Sequence, residues 1–265
     1  MDSSHVASDS VLVAVVDRLR AAGCVFAEDE ARLLVESAPT SSALDSMVAS
    51  RVAGRPLEHV LGWAEFCGLR IAVDAGVFVP RRRTELLVAQ AVSLAPPRAV
   101  VVDMCCGSGA VGAAVFAARP DVELHASDVD AAAVACARRN VGAGGQVYAG
   151  DLFDPLPGSM RGRIDVVVAN VPYVPTDEIE LMPPEARVHE PRVALDGGKD
   201  GLDLQRRVAA AAPQWLAPGG HLLIETSERQ APVSLRIFRS KGLTAWRASS
   251  EELDATVVIC HVSPT

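Results

Sequence analysis

From residue 84 onward the chain alternates short β-branched runs with Ala-rich stretches of helical period. "TELLVAQAVSLA" reads as a helix, "AVVVD" (99–103) as a buried strand, and "GAVGAAVFAARP" as a helix stopped by Pro120. The pattern repeats through "VELHASD" (122–128), "DAAAVACARRNV", "QVYAG", "IDVVVAN" (164–170), "GLDLQRRVAAAAPQWL", "GGHLLIETS" and "ERQAPVSLRIFRSKG". Parallel strands need crossovers long enough to hold a helix, so this alternation predicts a doubly wound parallel α/β sheet with right-handed connections. "LTAWRAS" and "ATVVICHV" follow with no helix between them, which predicts an antiparallel pair at the sheet edge.

The first part of the chain is written differently. "SVLVAVVDRLRAAG", "AEDEARLLVESA" and "SALDSMVASRVAG" carry apolar residues at helical spacing, the third with Ser41 or Ser42 as its cap. Residues 57–80 break into short alternating runs around Gly62, Gly68 and Gly76, as a β-hairpin connector does. The expected division is a helical domain over 1–60, a hairpin linker over 61–83 and the α/β domain over 84–265.

Net charge is -8 over 265 residues, which argues against a general nucleic-acid or anionic-membrane surface. The apolar run "VLVAVV" is preceded by Asp9, lacks a basic n-region and is too short for a signal peptide or a membrane span. None of the six cysteines forms a C-x-x-C pair, so no metal site is expected, and reduced thiols in a cytoplasmic protein are.

"VVDMCCGSGAVGAA" follows the first strand of the alternation and opens a helix, with G-x-G-x-x-G at Gly107, Gly109 and Gly112. Such a turn brings main chain close to a ligand. By itself it fits an NAD enzyme, another nucleoside-containing cofactor or tight helix–sheet packing. Two carboxylates narrow the choice. Asp128 ends the second strand, where it can accept both hydroxyls of an adenosine ribose; the competing role, helix cap, is shared with Asp130. Asp103 sits at the mouth of the turn, where it would repel a pyrophosphate and welcome the sulfonium and ammonium of S-adenosyl-L-methionine. Asp151, in "GDLFD", is placed to accept from an adenine amino group, with Leu152 and Phe153 as apolar flanks.

The fourth strand ends in "NVPY", and with it the chain resembles the protein-(glutamine-N5) methyltransferases, the release-factor methyltransferase family. The resemblance runs over about residues 55–260 and rests on "LGWAEFCGLRIAVDAGVFVPRRRTELLV", "VVDMCCGSGAVGAA", "ASDVDAAAVACARRN", "GDLFDPLP", "DVVVANVPYVP" and "HEPRVALDGGKDGLDLQRRV". It implies a Rossmann-like class I S-adenosylmethionine-dependent methyltransferase whose N-terminal helices meet a protein substrate, a release factor or similar. In this sequence the cofactor would be held by Cys105, Cys106, Gly107, Ser108, Gly109, Asp128, Leu152 and Asn170. Asn170 would also touch the substrate, with Pro172 and Tyr173 completing its pocket. Three departures stand out: Val171 replaces the first proline of Asn-Pro-Pro-Tyr, Cys105 replaces a glycine, and Arg82 and Arg83 replace a proline and an acid. They leave open a paralogue with another target. A monomer is expected.

The chemistry accounts for these residue types. A glutamine amide nitrogen is a poor nucleophile because its lone pair is delocalised. Two acceptors, the Asn170 side-chain oxygen and the Val171 carbonyl, can hold its two N–H bonds and stabilise charge that develops on the nitrogen. Tyr173 can stack on the planar amide. Glu190 is read as a local hydrogen-bonding residue and His189 as a surface one. Other readings stay open: an N-methyltransferase of an exocyclic base amine, with Arg81, Arg82 and Arg83 as a phosphate contact; an NAD-dependent oxidoreductase; and a non-catalytic binding module.

Overall fold

A computed structural model describes residues 3–262, with side chains from Ser10 onward; residues 1–2 and 263–265, which the expected domain bounds include, lie outside the described residues. The chain starts with helices α1 (Ser3–Ala21), α2 (Ala27–Ser37), α3 (Ser41–Val52) and the short α4 (Leu57–Leu61). Val15, Val16 and Leu19 of α1 pack on Ala27, Ala31 and Leu34 of α2 and on Val48 of α3. Gly23, at φ 88°, follows the end of α1. The cap of α3 is Thr40, not Ser41 or Ser42: its hydroxyl accepts from the Ala43 N–H at 3.1 Å, and both serines already lie inside the helix. A further difference is that residues 57–61, read as part of the hairpin connector, are helical. The hairpin itself is tighter, β1 (Trp63–Phe66) against β2 (Leu69–Ala72), and turns on Cys67 and Gly68 at φ 50° and 73°. Two left-handed residues give the turn the twist that a two-residue hairpin needs.

The α/β unit holds α5 (Glu85–Leu94), β3 (Val100–Met104), α6 (Ala110–Ala118), β4 (Glu123–Asp128), α7 (Ala131–Val141), β5 (Gly145–Ala149) and β6 (Ile164–Ala169). There follow α8 (Pro184–His189), α9 (Asp203–Trp215), β7 (Leu216–Thr226), α10 (Ala231–Arg239), β8 (Thr244–Ser250) and β9 (Ala255–His261). Strand order is β5-β4-β3-β6-β7-β9-β8. Strands β3 to β7 are parallel, and β9 inserts antiparallel between β7 and β8. Both faces are covered, which is why the inner strands read as nearly unbroken Val and Ile. Val101, Val166 and Val168 pack to one side with α5 and α6, and Val102, Met104 and Val167 to the other with α9.

After β3 the chain moves outward through β4 and β5, then returns to the other flank of β3 as β6. That reversal opens a crevice at the carboxyl ends of β3 and β6, where such sheets hold their ligands. The register pairs Met104 with Ala169, so the residues that follow, Cys105 and Asn170, leave the sheet side by side.

Candidate active site

One cavity of about 520 Å³ fills this crevice, within the range of small-molecule sites. Of the residues singled out from the sequence, Asp103, Cys105, Cys106, Gly107, Ser108, Asp128, Asp151, Leu152, Asn170, Val171, Pro172 and Tyr173 line it. Gly109 does not. It stands behind the turn at φ 77°, and an added Cβ would lie 3.0 Å from that of Ala137, where the start of α6 meets α7.

Asp103 closes β3 with its side chain turned to the helix that follows. Its Oδ2 accepts from the Gly112 N–H at 2.8 Å. A Cβ on Gly112 would come within 3.1 Å of the same oxygen, so the third glycine serves contact between helix and strand. Asp103 is only 2% exposed, and among the described residues no cation pairs with it. Burial pushes its carboxyl up to about 8, the Asp128 charge adds to the rise, and the Gly112 hydrogen bond opposes it. A buried carboxyl with no countercharge at a cavity wall suits a ligand that brings a cation.

Asp128, at the end of β4, accepts from the Asp130 N–H at 2.9 Å through Oδ1 and from the Gly107 N–H at 2.8 Å through Oδ2. Each oxygen keeps acceptor capacity for a ligand hydroxyl. Helix capping falls to Asp130, whose Oδ1 takes the Ala132 N–H at 2.9 Å, so Asp128 is not the cap. Burial raises the Asp128 carboxyl as well, against the hydrogen bonds that hold it ionised.

The turn between β3 and α6 uses left-handed backbone at Cys105, Gly107 and Gly109, with φ of 54°, 53° and 77°. For Cys105 this conformation costs about 1–2 kcal/mol that glycine would avoid. Burial raises the thiol pKa of both Cys105 and Cys106, which argues against either as a nucleophile. Asp151 is engaged by Arg207, with 2.5 Å between Nη2 and Oδ2. Leu152 is also left-handed, at φ 50°, and its carbonyl takes the Ser127 hydroxyl at 3.1 Å. Next to it Phe153 stacks on Trp215, with centroids 5.4 Å apart, and anchors this wall.

Asn170 sits just beyond β6. Its Nδ2 donates to the Thr84 hydroxyl at 3.4 Å, which turns Oδ1 the other way. Val171 is fully buried at 0% exposure. The Tyr173 hydroxyl donates to Glu225 Oε1 at 3.4 Å, and burial with the nearby Glu225 charge pushes the phenol up to about 12. The motif is braced from outside by the polar loop that follows α8. Val174 and Asp196 form a bridge, and Gln230 Nε2 donates to the Tyr173 carbonyl at 2.9 Å. A Cβ on Gly201 would fall 2.2 Å from that carbonyl and one on Gly197 2.7 Å from the Pro172 carbonyl, so the loop lies main chain to main chain on the motif. Glu190 receives the Val79 N–H at 3.1 Å and Arg81 at 2.6 Å, tying the loop to the segment after the hairpin.

Sequence reading misses Thr84, Arg207, Glu225 and Gln230. Only Glu225 carries a signal in its own surroundings: a carboxylate inside the apolar strand run "HLLIETS". Of the three consecutive arginines, Arg81 pairs with Glu190 at 2.6 Å and Arg82 lies 3.6 Å from Glu252 with both side chains exposed. A second cavity, about 730 Å³, lies between the N-terminal helices and the α/β unit and shares Arg81, Arg83 and Met182 with the first. Val25 and Phe26, 83% and 68% exposed, stand among its lining residues. Arg51 ties its two sides, meeting Glu30 of α2 and Glu185 of α8, each at 2.6 Å. No helix among the described residues is long and apolar enough to cross a membrane.

Residues 68–238 match the family model of the methyltransferase small domain. The release factor glutamine methyltransferase of Geobacter sulfurreducens is 40% identical over 204 residues, which cover 76% of this chain and 71% of that protein. The protein of the same name from Mycolicibacterium smegmatis is 37% identical over 221 residues, 81% of this chain and 78% of its own. A methyltransferase structure from Pyrococcus furiosus superposes with a TM-score of 0.56 at 16% identity, over 84% of this chain and 99% of that one, a likeness of fold.

Proposed function

The chain belongs to the release factor glutamine methyltransferase family, and from that premise we propose that it methylates the side-chain amide nitrogen of a glutamine in a peptide chain release factor, with S-adenosyl-L-methionine as cofactor. One observation carries the reading: Asn170 donates inward to Thr84, so its oxygen is left to accept from a substrate amide beside the Gly-rich turn and Asp128. Membership displaces the oxidoreductase reading.

The residues fit the cofactor. Asp128 has one hydrogen bond on each oxygen and can take a ribose hydroxyl on each. Asp103 lacks a countercharge, and the ligand's sulfonium and ammonium would supply one. Leu152 and Val129 line the same cavity as Asp151 and can flank a base. When bound, the cofactor supplies an electrophilic methyl group on sulfur. The protein holds the acceptor nitrogen: Asn170 Oδ1 and the Val171 carbonyl take its two N–H bonds, and Tyr173 backs the amide plane. These acceptors concentrate negative potential where the nitrogen gains positive charge. No side-chain base is required to remove a proton beforehand.

Asp103 gives the cofactor a pH signature. The free protein holds this carboxyl neutral below about 8, and a bound cation favours the ionised form. Affinity should therefore rise with pH from 6 towards 8, by at most about tenfold per unit, and binding at pH 7 should release a proton. Calorimetry in buffers of different ionisation enthalpy reads that proton, and Asp103→Asn should abolish the contribution. The ligand amine titrates with both proteins, so the difference between them isolates Asp103.

The helical unit over 1–60 is proposed to recognise the protein substrate through the second cavity and the Val25–Phe26 edge. The test is transfer of labelled methyl to a purified bacterial release factor, with the label located by mass spectrometry and with RNA and DNA as competing acceptors. Label on a glutamine amide is expected, and a Val25→Asp/Phe26→Asp variant should lose at least about tenfold in kcat/KM for intact protein at unchanged cofactor affinity. Label on nucleic acid, or on a residue other than glutamine, would overturn the substrate assignment; a variant as efficient as wild type would remove the edge from recognition.

A further inference from the structure

Glu225 is a charged residue in the interior of the sheet, 2% exposed, on a strand that otherwise buries Leu222, Leu223 and Ile224. Its Oε1 accepts from Tyr173, while Oε2 is buried without a hydrogen-bond partner. A carboxylate is not placed there for packing: burying an unpartnered ionisable oxygen is unfavourable by more than an apolar side chain in its place. The groups that face it come from two other elements. Thr84, Arg83 and Arg81 arrive from the segment entering α5, and Tyr173 from the end of β6. Burial raises the Glu225 carboxyl, and the Thr84 hydroxyl, the Arg83 charge and the Tyr173 hydroxyl each oppose that rise.

Thr84 joins Glu225 to Asn170. Its oxygen receives the Asn170 Nδ2–H at 3.4 Å, and a hydroxyl that accepts there must direct its single proton elsewhere. Glu225 Oε2, buried without a partner, is the acceptor available to that proton. The Thr84 and Tyr173 hydroxyls and the Arg83 charge favour the ionised form of Glu225, and in that form it cannot donate, so the relay then has one direction: Asn170 amide to Thr84 hydroxyl to Glu225. The two ends of a carboxamide have nearly the same shape, and packing alone cannot choose between them. Hydrogen-bond polarity can.

We propose that Glu225 is a positioning residue which, through Thr84, sets the Asn170 amide with its oxygen towards the acceptor and, through Tyr173, braces the other end of the same motif. The inference rests on the reading of Asn170 Oδ1 as the acceptor for the substrate amide. Glu225 does not line the cavity. Its role is to make Asn170 an acceptor rather than a donor, which selects a nucleophile bearing N–H bonds.

The test is a double-mutant cycle on the full chain, read by single-turnover methyl transfer at saturating cofactor beside a cofactor titration. Glu225→Gln keeps the volume but can donate, which removes the enforced direction. Thr84→Val keeps the shape and removes the relay. Each should lower turnover by about 10–100-fold with cofactor affinity unchanged, the range for loss of a group that orients a contacting residue. Thr84→Ser should retain most activity, and the double variant should be no worse than the poorer single one, because both remove the same constraint. Thr84→Val is a near-isosteric buried change and keeps the question answerable if Glu225→Gln folds poorly. Turnover at the wild-type level in both single variants, with Asn170→Ala inactive, would overturn the relay and leave the reading of Asn170 intact. Losses that multiply in the double variant would overturn it as well. Near-normal turnover in Asn170→Ala would remove the acceptor reading and the relay together.

Discussion

Asn170→Ala is expected to lower turnover by roughly 10²–10³-fold, the effect of deleting one preorganised polar group at a site of developing charge. Cofactor affinity should change far less, because Asp128, the Gly-rich turn and Leu152 reach the cavity from other strands. Asn170→Asp separates the two ends of the amide. A carboxylate still accepts outward, but it cannot donate to Thr84, and it competes with Glu225 for the single Thr84 proton. Activity between those of wild type and the alanine variant is therefore expected. Val171→Pro keeps the 171 carbonyl and should be tolerated. The measurement is single-turnover transfer to the protein substrate at saturating cofactor. An alanine variant that transfers methyl groups at near wild-type rate would reduce the motif to a strand-terminating turn.

What the sequence makes legible here follows the range of the forces involved. Alternation of Val-rich and Ala-rich segments is a local pattern with a global consequence, so the doubly wound sheet and its antiparallel edge can be read before any contact is known. The site residues are legible where the chain marks a special backbone, as at Gly107 and Gly109, or a change of character at a strand end, as at Asp128 and Asn170. Thr84 is different. It reads as an ordinary helix-start residue, and only the fold brings its hydroxyl to Asn170, 86 positions away. Gln230 likewise reaches the Tyr173 carbonyl across 57 positions. Partners set by tertiary packing leave no local mark. The cap of α3 is misplaced for a smaller reason: Thr40, Ser41 and Ser42 are all competent caps, and propensity does not separate neighbours.

The departures at 105 and 171 have opposite structural meanings. Cys105 keeps the left-handed backbone of the turn at about 1–2 kcal/mol of strain, so the turn's shape overrides local preference. Val171 fills a fully buried position, and neighbouring main chain rather than a proline ring holds the geometry: the 194–201 loop lies against the Pro172 and Tyr173 carbonyls. The rigidity that a second proline would give the motif is here provided by the loop and by Gln230.

Asp128→Ala is expected to weaken S-adenosyl-L-methionine binding by about 2–4 kcal/mol, or roughly 30- to 1,000-fold in dissociation constant. Two effects add. Two charge-assisted hydrogen bonds to ribose hydroxyls are lost, together most of the about 2–4 kcal/mol net of exchange with water. The Gly107 and Asp130 N–H groups also lose their common acceptor, so the turn that must lie against the ligand is no longer held to the end of β4. Asp128→Asn separates these contributions. Its single carbonyl oxygen can keep one main-chain bond, while its amide opposes an N–H group where the second oxygen stood, so an intermediate loss is expected. The thermal unfolding midpoint of either variant should fall by only about a few degrees, from the main-chain N–H groups left without an acceptor, because Asp130 still caps α7 and the apolar faces of β4 are untouched. Calorimetric titration of the three proteins under one buffer decides the matter: a dissociation constant for Asp128→Ala equal to that of wild type would remove this carboxylate from the cofactor site, and with it the reason for reading the crevice between β3, β4 and β6 as one that holds a ribose.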